Sequence, residues 1–206
     1  MDDRERIVRL LAREAALKAR VAELEARLAQ AEHRATRDPL TGLLNRAGLA
    51  QEWAARRPVP GLMLALIDLD GFKQVNDQHG HAAGDDLLRA VAFWLRRTGG
   101  TAARLGGDEF VVLMFRPSDL PARVFTKLPG GPTVSAGLSV GVAPAVGDLG
   151  EVLSRADAAM YATKARGGCG VEEWDPYRHD RAVEPRPRVR LRDESAVVGS
   201  DVAWVA

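Results

Sequence analysis

Apolar residues recur in alternating steps of three and four at the start of the chain: Ile7, Leu10, Leu17, Val21, Leu24, Leu28, Ala31 and Ala35, with Glu14 breaking the series once. A seam repeating about every 3.5 residues over roughly four heptads belongs to a helix wound on a partner helix. The segment contains no Gly or Pro and is rich in Ala, Leu, Glu and Arg, all strong helix formers. Residues 1–37 are therefore predicted as one helix acting as a coiled-coil dimerisation stalk. An amphipathic helix packed on its own domain shows a related pattern, but nothing in the sequence would hold a lone helix of this length straight in water. Asp38-Pro39 ends it, because the residue before a proline is pushed out of the α region.

Beyond Pro39 the period changes. DPLTGLLNRAGL reads as a turn leading into a helix, and Leu62 to Ile67 as a buried strand between Pro60-Gly61 and Asp68. Residues 84–97 take helical spacing, with Leu87, Leu88, Val91, Trp94 and Leu95 on one face. Residues 101–105 and 110–115 flank Gly106-Gly107-Asp108-Glu109, a β-hairpin with an acidic turn. Val134 to Ala143 is a further strand, and 149–166 a helix with Leu153, Ala156, Ala159 and Met160 inward. The alternation predicts an α/β (α+β) sheet domain with flanking helices over 38–174. Residues 175–206 read as a C-terminal extension. Six arginines between Arg178 and Arg192 are interleaved with Pro185 and Pro187, which suits a solvated extension or an added edge strand.

Composition narrows the setting. With 46% hydrophobic and 28% charged residues the 206-residue chain is globular. Its 29 basic and 28 acidic residues sum to +1, which gives no reason to expect nucleic acid or an anionic membrane as partner. The lone Cys169 cannot form an intramolecular disulfide and fits a reducing compartment. The N-terminus opens with charged residues, and no apolar run approaches the roughly 20 residues needed to span a bilayer. A soluble, cytoplasmic protein is expected.

Two acidic clusters carry the candidate chemistry: Asp68-Leu69-Asp70-Gly71-Phe72-Lys73 at the end of the buried strand, and Gly106-Gly107-Asp108-Glu109-Phe110 in the hairpin. Neighbouring carboxylates repel and raise each other's pKa unless a cation sits between them. Mg²⁺ takes one or two carboxylates and leaves its other positions to water and phosphate, so an acidic strand end beside an acidic turn suits metal-assisted nucleotidyl transfer. The same residues are also common turn chemistry. Gly71 lets backbone N–H groups approach a phosphate, and Lys73 adds charge. Asn76 and Asp85 can together read a guanine edge, or can cap a turn and open a helix. The spacing of His79 and His81 suits turn packing better than a metal.

The segments RDPLTGLLNR, LIDLDGFKQVNDQHGHAAGDDLL, ARLGGDEF, LSVGVA and RADAAMYATKARG, in this order over about residues 36–172, resemble the blocks of GGDEF-domain diguanylate cyclases. The resemblance implies a sheet of the adenylyl-cyclase and polymerase-palm type, and two facing copies that each bind GTP and together make cyclic di-GMP and pyrophosphate. It implies Mg²⁺, or Mn²⁺ in its place, on Asp68, the Leu69 carbonyl and Asp108, with Glu109 at the metal or deprotonating the 3′-hydroxyl. Phosphates would lie on Gly71, Phe72 and Lys73 with Lys164, and guanine on Asn76 and Asp85, while Gly106 and Gly107 let the nucleotide lie against backbone.

Three departures accompany the resemblance. Arg97-Thr98-Gly99-Gly100 has Gly100 where the family's product-inhibition pattern has Asp, so weak or absent feedback is expected. Gly168 stands where an arginine is usual, with Arg166 two residues away as a substitute. The stretch from Phe115 to Val134 is short for a full helix, and its Arg116 and Arg123 match no motif. A degenerate module that binds GTP or a partner without catalysis is the alternative. A helical partner or sensor acting on the stalk is compatible with either.

Overall fold

The computed structural model describes residues 3–56 and 58–179. Helix α1 runs from Asp3 to Thr36 as one element, and every residue from Arg9 to Ala35 is exposed. Its apolar seam therefore finds no cover on its own domain: Leu17 is 58% exposed and Leu24 49%. The intrahelical pairs Lys18–Glu14 and Arg27–Glu23 are also exposed, and such pairs stabilise a helix by only about 0.3–0.5 kcal/mol each. At the junction, Asn45 caps α2 (Arg46–Ala55) by accepting from Gly48 N–H, and its Nδ2 donates to the Ala35 carbonyl at 2.8 Å. One side chain thus closes α1 and opens α2.

The remainder is a six-stranded sheet with helices on both faces. In chain order it comprises β1 (Met63–Asp70), α3 (Phe72–His79), α4 (His81–Arg97), β2 (Thr101–Gly106), β3 (Glu109–Met114), β4 (Arg123–Lys127), β5 (Thr133–Pro144), α5 (Leu149–Ala165), β6 (Gly170–Glu173) and a short α6 (Pro176–His179). The strand order is β2-β3-β1-β5-β4, and β6 runs parallel to β5 on the edge that β4 also uses. All other pairings are antiparallel. The expected mixed sheet fold with flanking helices and a long N-terminal helix is thus present.

Strand alternation sorts the core. Ala65, Ile67 and Leu69 of β1 face α3 and α4, joining Leu87, Val91 and Leu138. Leu64 and Leu66 face α2 and α5, with Val111, Val152 and Met160. Gly141 lets α5 approach the sheet, since a Cβ there would lie 1.9 Å from the Ala156 carbonyl oxygen.

Several boundaries differ from the sequence reading. The first strand continues through the acidic residues to Asp70, because Asp68 and Asp70 still pair with Ser139 and Gly137 of β5. The segment NDQHGHAAGDD is helical on both sides of Gly80, so Asn76 lies within α3 and does not cap a turn. Leu153 packs against the core as expected but is only half-buried, and Val152 beside it is fully buried. No full helix forms between Phe115 and Val134: a 3₁₀ turn at Pro117–Asp119 and then β4 fill that stretch. In the C-terminal extension, His179 is buried beside Glu172. Residues 180–206, with most of the arginines and both prolines of the expected edge strand, lie outside the described residues. Among the described residues no helix is long and apolar enough to cross a membrane.

Candidate active site at the acidic end of the sheet

The row of β1 side chains that begins with Leu64 and Leu66 continues, by strand alternation, with Asp68 and Asp70 on the same face. Asp68 pairs directly with Glu109 of β3, which sets their Cβ atoms roughly 4.5–5.5 Å apart. Asp108 follows in the hairpin turn. Burial raises the Asp68 pKa above its ordinary value, and the charges of Asp108 and Asp70 push it the same way, against a 2.8 Å ion pair from Lys164. Burial likewise raises Glu109, aided by Asp68, Asp108 and Asp157, with Arg46 opposing.

Asp70 differs from its neighbour. Ser139 Oγ donates to one carboxylate oxygen at 2.6 Å and the Cys169 backbone N–H to the other at 2.8 Å. Both oxygens are therefore used by the protein, and Asp70 ties β1 to β5 and to the turn after α5. Leu69 has its side chain fully buried on the opposite face, so only its carbonyl can serve the site. Lys164, expected on phosphate, lies on Asp68 and supplies a single charge where several carboxylates meet.

These residues fit a small divalent cation. The donor set is hard oxygen, Asp68 and Glu109 are held above their ordinary pKa, and Lys164 already places a positive charge on Asp68. Among the described residues no three His, Cys, Asp or Glu side chains enclose a metal by themselves. His79 and His81 are exposed and belong to no such group.

The turn itself is held from behind. Arg104 donates through Nε and Nη2 to the Gly107 carbonyl at 3.0 and 2.7 Å, and through Nη1 to Asp38 at 3.0 Å. Gly107 has φ of 54°, and a Cβ built on it would meet nothing within 4 Å, so its outer side is open to a ligand. Burial alone would raise Asp38, but the Thr41 hydroxyl and N–H and the Arg104 guanidinium more than offset it and hold it below its ordinary value. The sequence reading gave Asp38 the end of the stalk helix and Arg104 no role, and it did not link the two. They are 66 residues apart, and no local pattern links them. Arg46 and Asp157 were missed for the same reason.

On the nucleotide side, Gly71 opens α3 in the left-handed conformation (φ 76°) with no side-chain cap. The first N–H groups of α3 thus have no side-chain acceptor, as a phosphate requires. Phe72 packs against the core and Lys73 is exposed. Asn76 and Asp85 come from α3 and α4, which meet at Gly84: a Cβ there would lie 2.0 Å from Asn76 Oδ1. That oxygen is buried without a hydrogen-bond partner. Asp86 is paired with Arg89 at 2.8 Å, whereas Asp85 has no ion pair among the described residues. An unpaired amide beside an unpaired carboxylate suits a purine edge.

Both sequence departures near the site are built into the backbone. Gly100 sits where a Cβ would come 2.3 Å from the Leu113 carbonyl oxygen. Gly168 has φ of 79°, and a Cβ would lie 2.7 Å from Asp70 Oδ2. Arg166, the expected substitute, pairs with Glu172 at 2.6 Å.

A largely antiparallel sheet with helices on both faces, an acidic hairpin beside its central strand and an uncapped glycine-started helix define a palm-like sheet domain. The family described as "Diguanylate cyclase, GGDEF domain" matches residues 35–128. An uncharacterized 19.3 kDa protein of Streptomyces ambofaciens is 42% identical over 151 residues, covering 64% of this chain and 80% of that protein. Diguanylate cyclase DgcP of Pseudomonas aeruginosa is 38% identical over 157 residues, 65% of this chain but 23% of DgcP. Among solved structures, the coiled coil and GGDEF domain of DgcB from Caulobacter crescentus, in complex with c-di-GMP, superposes with a TM-score of 0.68 at 32% identity, covering 80% of this chain and 98% of that one. The chain belongs to the GGDEF domain family.

Proposed function

We propose that this protein is a cytoplasmic diguanylate cyclase that condenses two GTP into cyclic di-GMP across two facing copies, releasing pyrophosphate. The observation that carries this is the Asp68–Glu109 pair: adjacent carboxylates with Asp108 beside them, both held above their ordinary pKa in an otherwise well-packed sheet.

Asn76 and Asp85 bind the guanine edge, with Asp85 accepting from N1–H and the exocyclic amine. The N–H groups that open α3 at Phe72 and Lys73 hold phosphate oxygens, joined by the Lys73 ammonium. Gly71 provides the left-handed turn that aims them. Asp68, the Leu69 carbonyl and Asp108, with Glu109 adjacent, are the ligands for Mg²⁺ or Mn²⁺. The metal, when bound, neutralises charge on the triphosphate and the departing pyrophosphate. Lys164 moves from Asp68 to a phosphate when that charge arrives. Glu109, beside Asp68 and Asp108, accepts the proton of the 3′-hydroxyl. That oxygen bonds to the α-phosphorus of the nucleotide on the facing copy as the bond to pyrophosphate breaks. Gly106 and Gly107 let the nucleotide lie against the turn, which Arg104 steadies through Gly107.

Each copy supplies half of the reaction, so turnover depends on their local concentration. The seam of α1, uncovered by its own domain, provides the pairing surface, and a sensor or helical partner acting there would set how the sites face. Feedback through Arg97 and residue 100 is weak or absent, because the β3 backbone leaves no room for a carboxylate side chain at 100.

The test is incubation with GTP and Mg²⁺, with nucleotides resolved by chromatography, beside Asp108→Ala. Cyclic di-GMP is expected from the intact protein, with a loss of at least about a hundredfold in the variant. A confirmed dimer that binds GTP yet forms no product would instead be a binding module. Replacing Leu17 and Leu24 together by Glu is expected to give monomer in analytical ultracentrifugation and to slow turnover steeply. An unchanged dimer would remove α1 from the account.

A further inference from the structure

Arg123 of β4 has no part in the reaction above, yet its side chain reaches the edge of the site. A cleft of about 530 Å³ opens between α3 and the β4–β5 edge. Gly71, Asp70, Gly167 and Cys169 line one end, and Arg123 and Ser135 the flank. The Arg123 guanidinium lies 3.4 Å from Cys169 Sγ and 3.3 Å from Ser135 Oγ. Neither group neutralises it, and among the described residues it has no ion-pair partner. The acid in the lining, Asp70, is already engaged at both oxygens by Ser139 and the Cys169 N–H.

The other cations at this end have places of their own, with Lys73 exposed at the start of α3. Lys164 holds Asp68 and Arg166 holds Glu172. The turn after α5 cannot present a long side chain from residue 168 without strain, for the φ and Cβ reasons given above. Arg123 instead delivers a guanidinium to the neighbouring residue, Cys169, from the opposite side of the cleft. The short connection before β4 places it there, with Arg123 paired to Gly137 in the sheet register.

We infer that Arg123 binds the terminal phosphate of the nucleoside triphosphate, as a charge-bearing residue that distinguishes tri- from diphosphate. The inference rests on the proposed reading in that α3 seats the inner phosphates at Gly71–Lys73; the cleft begins at Gly71, where a third phosphate would emerge. A guanidinium forms paired, charge-assisted hydrogen bonds to phosphate oxygens.

The experiment is calorimetric titration of the full chain, with Mg²⁺, by a non-hydrolysable GTP analogue and by GDP, comparing wild type, Arg123→Ala, Arg123→Lys and Arg166→Ala. Arg123→Ala is expected to weaken the triphosphate about tenfold to a hundredfold and to leave GDP within twofold. Arg123→Lys should fall between, and Arg166→Ala should match wild type. Equal triphosphate binding by wild type and Arg123→Ala overturns the inference while leaving the guanine-nucleotide reading intact, as does an equal loss of both ligands. A folded wild type that binds neither nucleotide overturns that reading and this inference together.

Discussion

Two carboxylates of this domain sit in opposite circumstances. Asp38, at the junction after α1, is met by the Thr41 hydroxyl, the Thr41 N–H and the Arg104 guanidinium, and lies below its ordinary pKa. Asp68, at the acidic end of β1, is surrounded by Asp70, Asp108 and Glu109 and lies above its ordinary pKa despite Lys164. Both side chains are largely covered, at 16% and 14% exposure, and burial pushes both pKa values up; the two differ in what offsets it. Asp38 receives three donors, the Thr41 hydroxyl, the Thr41 N–H and Arg104, whereas Lys164 is the one cation against Asp68 among the described residues. A carboxylate with its partners in place serves the fold; one kept near like charges serves something that arrives later. Asn76, whose Oδ1 is buried without a hydrogen-bond partner against Gly84, belongs with Asp68 in this respect.

The largest effect on stability is expected where the partners are complete. Asp38→Ala strips Arg104 of a half-buried ion pair and should cost about 2 kcal/mol in denaturant unfolding. Turnover should fall with it, because Arg104 also holds the Gly107 carbonyl. A change below about 0.5 kcal/mol would place Asp38 among ordinary surface residues. A smaller effect is expected at Gly84→Ala, where the new methyl must displace Asn76. We expect about 1–2 kcal/mol of overpacking cost together with weaker guanine-nucleotide binding by titration. Unchanged binding would separate Asn76 from the nucleotide.

The same contrast explains what the sequence could disclose. The acidic strand end and hairpin turn were legible because each is contiguous and breaks an apolar pattern. The register that sets Asp68 against Glu109 follows once the strands are paired. Helix α3 was obscured by turn-prone Asn, Asp, His and Gly around Gly80, and packing of Val75 into the core overrides those preferences. Strands β4 and β6 escaped notice because they are short edge strands, β4 with a single buried side chain, Val124. The bracing of the turn by Asp38 and Arg104 joins residues that only the folded sheet brings together. The place of Lys164 on Asp68 likewise depends on where α5 ends over the sheet.

Asp68 is where the comparison can be decided. Its folded pKa is raised, so its charge is a penalty in the fold that is full above that pKa and fades as pH falls through it. The contribution of Asp38 runs the other way: present above about 3.8, and lost as pH falls through its lower folded value. The neutral isostere Asp68→Asn should therefore remove a penalty at neutral pH, and Lys164, 38% exposed, can turn to water. The measurement is thermal unfolding of wild type and Asp68→Asn at neutral pH, with and without Mg²⁺ and a non-hydrolysable GTP analogue. Asp68→Asn is expected to melt above wild type when unliganded and to lose the ligand-induced rise. A variant that melts lower yet keeps the full rise would make Asp68 part of the scaffold and contradict the assignment of the site.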